Sequence, residues 1–357
     1  MRSLAAIAFA LLSAFTFTVA QDKPAHRWSA NVYWDFVYNV GRDTGIAALG
    51  DKALSGNRDF QAFLFRRIYV TLDSDINSTF AFRFRLEADE AANTSNGKIG
   101  TFVKDAYLRW KGIFAGSDLT AGIQPTSAFE VSEGVWGYRS LEKTILDLRG
   151  IVSSRDQGIS LRGNLYGEGM AKYWVMFANG SGNNPETDRY KRTSVQIELH
   201  PISDMTATLY GDLAARAPKV SAGTAFNNDA IVGAVCVGYK VKDDYTAGVE
   251  GFVRTIEHQY SKAGSLVAQS SFGVSVFGSY VMRPGMTVVA RYDSYDPNTD
   301  GAASGDARGY LLVGCDWSPE RNVSIIPNIQ METYEQSSGG RAIDPSVTAR
   351  VTFAYSF

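Results

Sequence analysis

Cysteine is nearly missing from this chain of 357 residues: only Cys236 and Cys315 occur, far apart in sequence. A disulfide framework is therefore not what organises the fold. Histidine is almost as scarce. His26, His200 and His258 are the only three, and none has a second histidine at metal-ligand spacing. No serine has a histidine partner visible in the sequence, so the nucleophile-and-base pair of a hydrolase is not in view. No Gly-rich phosphate loop stands out, and a net charge of −2 gives no reason to expect a nucleic-acid partner. Beyond residue 20 there is no apolar run of spanning length. "IVGAVCVGY" (Ile231–Tyr239) is among the longest, well short of the ~20 residues a transmembrane helix needs. The reading at this point is a non-enzyme without cofactor or metal.

What is present points to strands. Aromatics reach 12 %, with 18 Tyr and 20 Phe, and 34 Gly stand against 10 Pro. That balance fits β structure with many turns. The N-terminus reads as a secretory signal peptide over 1–20: Met1-Arg2, an apolar run from Leu4 to Phe17, then Thr18-Val19-Ala20 with cleavage after Ala20. A membrane anchor is the alternative, but the run is short for one. Residues 21–357 then form one domain, either soluble and exported or crossing a membrane with strands.

The period of two decides between these. In "WSANVYWDFVYNV", Trp28, Ala30, Val32, Trp34, Phe36, Tyr38 and Val40 share one face; Ser29, Asn31, Tyr33, Asp35 and Asn39 share the other. In "TFAFRFRLEAD", Phe80, Phe82, Phe84, Leu86 and Ala88 alternate with Ala81, Arg83, Arg85, Glu87 and Asp89. Such segments are longer than the ~5–6 residues usual in soluble sheets and match the ~9–11 of a tilted membrane strand. Sixteen strands are predicted, near 28–40, 60–72, 79–89, 102–110, 118–124, 157–165, 170–179, 192–199, 205–213, 229–240, 245–254, 270–281, 286–295, 308–317, 323–334 and 348–357. Even-numbered strands are followed by short links such as "DSDINS" and "RPG"; odd-numbered ones by long links at 41–59, 125–156, 214–228, 255–269, 296–307 and 335–347. Short turns at one rim and long loops at the other define an all-β, sixteen-stranded antiparallel transmembrane barrel, with both termini at the periplasmic rim. Trp28, Trp110, Tyr239, Trp317 and Phe357 then fall at that rim, where an aromatic girdle belongs.

The longest connection, 125–156 after strand five, carries apolar residues at helical spacing (Leu141, Ile145, Leu148) and paired charges. It is expected to fold into the lumen and narrow it, or else to form a lid outside the rim. Strands two to six direct Arg67, Arg83, Arg85, Arg109 and Arg162 inward, with Asp73, Glu87 and Asp105. Strands eight to fifteen direct Glu198, Asp212, Glu250, Asp293 and Glu332 inward, against Arg291 and Arg254. The loop adds Glu130, Glu133, Glu142 and Asp147 beside Arg139, Lys143 and Arg149. A basic wall facing acidic groups would set a transverse field across a narrow aqueous pore. Each arginine could equally brace the wall.

Several stretches carry a family resemblance. "FLFRRIYVTLDSDINSTFAFRFRLEAD", "VKDAYLRW", "LTAGIQPTSAFE", "SSRDQGISLRGNL" and "YWVMFANGSGNN", within residues 60–184, resemble the phosphate-selective porin O/P type of outer-membrane porin. The resemblance implies a homotrimer of sixteen-stranded barrels in outer-membrane lipid, with a loop-constricted pore passing small hydrophilic solutes or anions, phosphate among them. Inward lysines, which phosphate selectivity in that family relies on, are few here: Lys172, with Lys104 or Lys240. The ending "VTARVTFAYSF" alternates apolar Val351, Phe353, Tyr355 and Phe357 with Arg350 and Thr352. Phe357 and Tyr355 look like the signal such proteins show to the barrel-assembly machinery. The sequence-based expectation is a passive channel. A closed structural or adhesive barrel and a channel specific for an organic solute are the alternatives.

Overall fold

The two-residue alternation closes on itself. The structure is a computed structural model, and it describes residues 25–43, 57–93, 95–167, 169–336, 340 and 342–357. The signal-peptide reading of 1–20 lies outside these residues. Sixteen antiparallel strands form a closed barrel: β1 (Ala25–Gly41), β2 (Gln61–Asp75), β3 (Phe80–Asn93), β4 (Ile99–Phe114), β5 (Ser117–Pro125), β6 (Arg155–Tyr166), β7 (Ala171–Ala178), β8 (Arg192–Leu199), β9 (Met205–Ala214), β10 (Ala230–Val241), β11 (Tyr245–Lys262), β12 (Ser265–Arg283), β13 (Met286–Asp296), β14 (Arg308–Glu320), β15 (Val323–Tyr334) and β16 (Ser346–Ser356). The barrel closes where β16 meets β1, with Val32 opposite Tyr355, Trp34 opposite Phe353 and Phe36 opposite Val351. The Trp34 and Phe353 rings stack at 4.0 Å. The Phe357 amide and carbonyl exchange hydrogen bonds with Ala30. Closure leaves the barrel wall without an edge strand.

Residue distribution is inverted relative to a soluble protein. Phe63, Phe84, Phe177, Leu209, Phe272, Val276 and Ile329 are exposed on the outer face, while Asp35, Glu87, Asp105, Glu250, Arg291, Asp293 and Thr352 are buried on the inner one. A sheet with apolar groups out and charge in has its stable environment only with oil outside. Trp28, Trp110, Trp317 and Phe357 are exposed near the short-turn rim, as their positions in sequence lead one to expect. No described helix is long and apolar enough to cross a membrane.

Two expectations about the long-loop rim change. Residues 255–269 are not a loop: β11 and β12 run on to a turn at Ala263 and Gly264, both at positive φ (49° and 82°). Paired positive φ gives the turn a twist that matches the strands, so the hairpin extends past the barrel. A bulge between Ile256 and Tyr260, with His258 at φ 46°, bends it. In the 214–228 connection, Lys219–Ser221 pairs with Thr224–Phe226 as a small ribbon.

The segment between β5 and β6 carries two short helices, α1 (Glu130–Trp136) and α2 (Ile145–Leu148). Gly137 ends α1 in the left-handed region (φ 74°), its amide donating to the Glu133 carbonyl, the conformation that glycine adopts at least steric penalty. The apolar side chains of this segment make two clusters. Phe129, Ile145, Leu146, Ile151 and Val152 meet Tyr210, Val232, Phe252 and Tyr295. Val135, Trp136 and Leu141 meet Cys236, Phe277, Val289, Tyr310, Leu312 and Ile326. The second member of each set comes from β9–β15, so the segment packs on the inner faces of those strands.

Candidate functional site

Charge on the inner wall of β1–β6 is organised as clamps, one carboxylate between two cations. Glu87 takes Arg67 at 2.7 Å and Lys104 at 2.8 Å. Asp73 takes Arg83 at 2.6 Å and Arg27 at 3.2 Å. Asp105 takes Arg85 at 3.4 Å and also Arg155. Asp35 takes Arg66 at 3.3 Å and Arg350 at 3.7 Å. Strand register explains the spacing: Tyr69 opposes Glu87, Thr71 opposes Arg85 and Asp73 opposes Arg83, placing opposite charges on neighbouring rungs of one face.

Two bulges add cations that strict alternation would send outward. The register between β1 and β2 shifts so that Tyr33 faces Arg67 and Trp34 faces Phe65, leaving Arg66 as the extra residue. Arg66 turns inward and donates to the Ser140 and Leu141 carbonyls at 2.9 and 2.8 Å. A second shift, between Arg85 and Leu86 on β3, releases Lys104 from the β4 alternation toward Glu87. The sequence reading missed Arg66; the doubled "RR" inside a strand was the available signal, since a bulge lets both face one way.

The loop's charges tie it across the barrel. Arg139 pairs with Glu133 at 2.9 Å and Asp147 at 3.6 Å, and Lys143 with Asp147 at 3.3 Å. Burial raises the Glu142 carboxyl, but Arg66, the Lys143 amide, Arg350 and Arg139 outweigh it and hold Glu142 below its ordinary range. Toward the far wall, the Ile145 amide donates to Glu250 at 3.3 Å, Arg149 pairs with Glu332 at 2.7 Å and Arg291 reaches the Lys143 carbonyl. Toward the near wall, Arg162 pairs with Glu130 at 3.0 Å, both side chains being more than 40 % exposed.

The expectation of an acidic wall facing the basic one across water is corrected here. Glu250, Asp293, Glu332 and Asp212 are all buried. Asp293 is held by Arg291, Glu332 by Arg149 and Asp212 by Arg192. The loop packed over β9–β15 buries these carboxylates, and a buried carboxylate needs a partner. Glu198 lies apart near the short-turn rim, bound by Lys172 at 3.0 Å and by His200 at 2.6 Å. His200 also meets the Thr206 hydroxyl at 3.3 Å, so it clasps the turn between β8 and β9.

Of the sequence-derived set, Arg109, Arg162 and Glu130 come together. With Tyr107, Thr120, Gln124, Pro125, Ser160 and Trp174 they line a cleft of about 20 Å³ between the start of α1 and the β4–β7 wall. Arg162 stacks on Trp174 at 4.9 Å and Arg109 on Tyr107 at 5.9 Å. Arg109 and Tyr107 also line a cavity of about 400 Å³ at the short-turn rim, with Arg27, Arg83, Lys111, Asp73 and Asp75. Arg67, Arg85, Arg139, Glu133, Glu142 and Asp147 line neither space. Among the described residues no group of three or more His, Cys, Asp or Glu is placed to hold a metal.

No family model matches the chain, and no curated protein does. Solved structures do. The anion-selective porin from Comamonas acidovorans superposes with a TM-score of 0.64 at 12 % identity, over 94 % of this chain and 100 % of that one. The outer-membrane channel DcaP of Acinetobacter baumannii gives 0.64 at 12 %, over 96 % and 100 %. The outer-membrane OmpT of Vibrio cholerae gives 0.63 at 12 %, over 95 % and 99 %. The chain thus has the fold of porin-type barrels in general; this likeness does not single out the phosphate-selective group among them.

Proposed function

We propose that the protein is a passive, weakly anion-preferring channel of the bacterial outer membrane. Its long-loop rim faces outward, and small hydrophilic solutes cross by way of the cleft between α1 and β4–β7. The observation that carries this reading is the charge along the path. Arg109 and Arg162 stand against Glu130 in the cleft, and Arg27, Arg83, Arg109 and Lys111 stand against Asp73 and Asp75 just beyond it. Both spaces are net positive although the whole chain is net negative. A fixed excess of one sign in a low-dielectric passage raises the local concentration of the opposite ion. Loop contacts with β2, β6, β11 and β15 support a constriction. One structural neighbour is an outer-membrane protein solved in a trimer form, which supports three such channels side by side. The reading stops short of phosphate specificity, because the inner-wall lysines Lys104 and Lys172 are each committed to a glutamate.

A second reading has its own observation: a cleft of about 20 Å³ has room for about one water molecule. That favours a closed barrel whose outer loops bind partners. Planar-bilayer recording on purified protein separates the two. Stepwise conductance with a reversal potential favouring chloride over potassium is expected. Silent insertions would overturn the channel reading. If Arg109→Glu with Arg162→Glu left the reversal potential unmoved, these arginines would not set the ion preference.

A further inference from the structure

At the long-loop rim, further round the barrel from the cleft, lies a cavity of about 450 Å³. Its floor is the ends of β7–β11 together with Ile151 of the loop, and three arginines converge on it: Arg192, Arg216 and Arg254. They differ in how far they are already occupied. Arg192 gives one edge to Asp212 at 3.1 Å, but its Nε is buried with no hydrogen-bond partner. Arg216 has one long contact, 3.5 Å to the Gln259 side chain. Arg254 lies on β11 opposite Val232; among the described residues it makes no ion pair, and its Nε too is buried without a partner. Unpartnered buried guanidinium donors are costly unless an acceptor arrives. Apart from the carboxylates Glu186 and Asp188, the rest of the lining is uncharged and polar (Asn179, Ser181, Thr187, Tyr190 and Asn228) or apolar, and among the described residues Asn228 Oδ1 is another buried atom without a partner. Two carboxylates share the cavity. Glu186 is engaged by Lys191 and by the Thr187 and Asp188 amides, and Asp188 accepts from the Tyr190 amide.

We propose that this cavity is a binding site for sugar acids, meaning solutes of monosaccharide size with one carboxylate and several hydroxyls. The carboxylate would sit on Arg254 and the free Nε edge of Arg192, with Arg216 closing over it. Hydroxyls would exchange hydrogen bonds with Asn228, Asn179 and Tyr190. A forked guanidinium matches a carboxylate better than a spherical ion, so the site discriminates by shape as well as charge. Its volume suits a ligand of this size. The site is separate from the cleft and goes beyond the channel reading: it concentrates one class of solute at the mouth, whatever else passes.

The test is calorimetric titration of the purified full-length protein in detergent with gluconate, glucose and propionate, beside the same titrations of Arg254→Gln. Gluconate is expected to bind more tightly than either comparator, and Arg254→Gln is expected to weaken it about tenfold or more, the usual range for losing a charge-assisted hydrogen bond. Equal binding of glucose would overturn the role of the arginines. Equal binding of propionate would overturn the role of the hydroxyls, and no heat with any of the three would overturn the site, leaving its donors to water. Arg254→Lys guards against misfolding: with heat-modifiable migration on gels intact, it should retain charge but lose most of the gluconate preference. Because binding is read without conductance, its failure and that of the channel reading are distinguishable.

Discussion

At the scale of single residues, the inner wall shows why a charged barrel interior is stable. Glu87 is almost wholly buried, and Arg67 and Lys104 are nearly so. The three charges leave one net cation where separate burial would leave three expensive ions. Glu87→Ala strands two buried cations and should destabilise the barrel by about 3–5 kcal/mol, read as a lower unfolding temperature in detergent. Glu87→Gln keeps the hydrogen-bonding shape and should fall between. An unchanged temperature for both would mean that water reaches the pair. A second residue, Asp306, lies in the connection between β13 and β14. Burial, then Asp296 and Glu335, raises its carboxyl to about 6 from an ordinary 3.8. A raised carboxyl favours the protonated form in the folded state. Its contribution to stability is therefore present below the ordinary value and lost as pH rises through about 6. Hydrogen exchange of residues 297–307 should quicken between pH 4 and pH 7 more than intrinsic chemistry requires, and Asp306→Asn should flatten that rise. A profile identical in both proteins would remove Asp306 as the cause.

At the scale of elements, the loop between β5 and β6 behaves as a core that the barrel carries inside itself. Its apolar residues meet an inner wall that is apolar where it touches them, at Val232, Cys236, Phe252, Phe277, Leu312 and Ile326. The contact is close enough that glycine is required beneath it. A Cβ on Gly238 would lie 2.1 Å from Val135 Cγ1 of α1. Gly238→Leu should therefore leave a barrel that assembles, since neighbouring outward positions are untouched, but should push α1 off the wall. Single-channel conductance should change while heat-modifiable migration persists; an unaltered conductance would show that α1 does not bound the passage. The sequence made the strands legible because lipid outside and charge inside impose a period of two from Trp28 to Tyr355. It made the loop-covered part of the interior less legible, because inward Phe252, Phe277 and Leu312 look like errors in that period. The continuous apolar character of 229–240 was the trace of cover on both faces. The extended hairpin is hard to read for a related reason: β11 and β12 stay paired up to Lys262 and Ser265, but no apolar face marks Glu257–Lys262 as strand. In the site, Arg109, Arg162 and Glu130 could be assigned to one face each, but their meeting depends on where the loop begins its helix, which strand periodicity does not encode.

At the scale of the whole molecule, net charge and the charge lining the proposed path have opposite signs, and that contrast makes the proposed anion preference testable without any substitution. The chain carries −2 overall, whereas the cleft and the cavity below it hold more cationic than anionic side chains. Along the cleft and the cavity below it, Arg27, Arg83, Lys111 and Arg162 are each paired with a carboxylate within 4 Å, so their fields cancel a short distance away. What remains there is a small positive excess around Arg109, which stacks on the Tyr107 ring. An excess of that size acts through its field, and the field is screened. The Debye length falls from about 10 Å at 0.1 M salt to about 3 Å at 1 M. A tenfold potassium chloride gradient centred near 0.1 M should therefore give a reversal potential that clearly favours chloride. The same gradient centred near 1 M should give one close to zero. A preference that persisted undiminished at high salt would require direct coordination of the ion at a binding site within the cleft, in place of a screened residual charge.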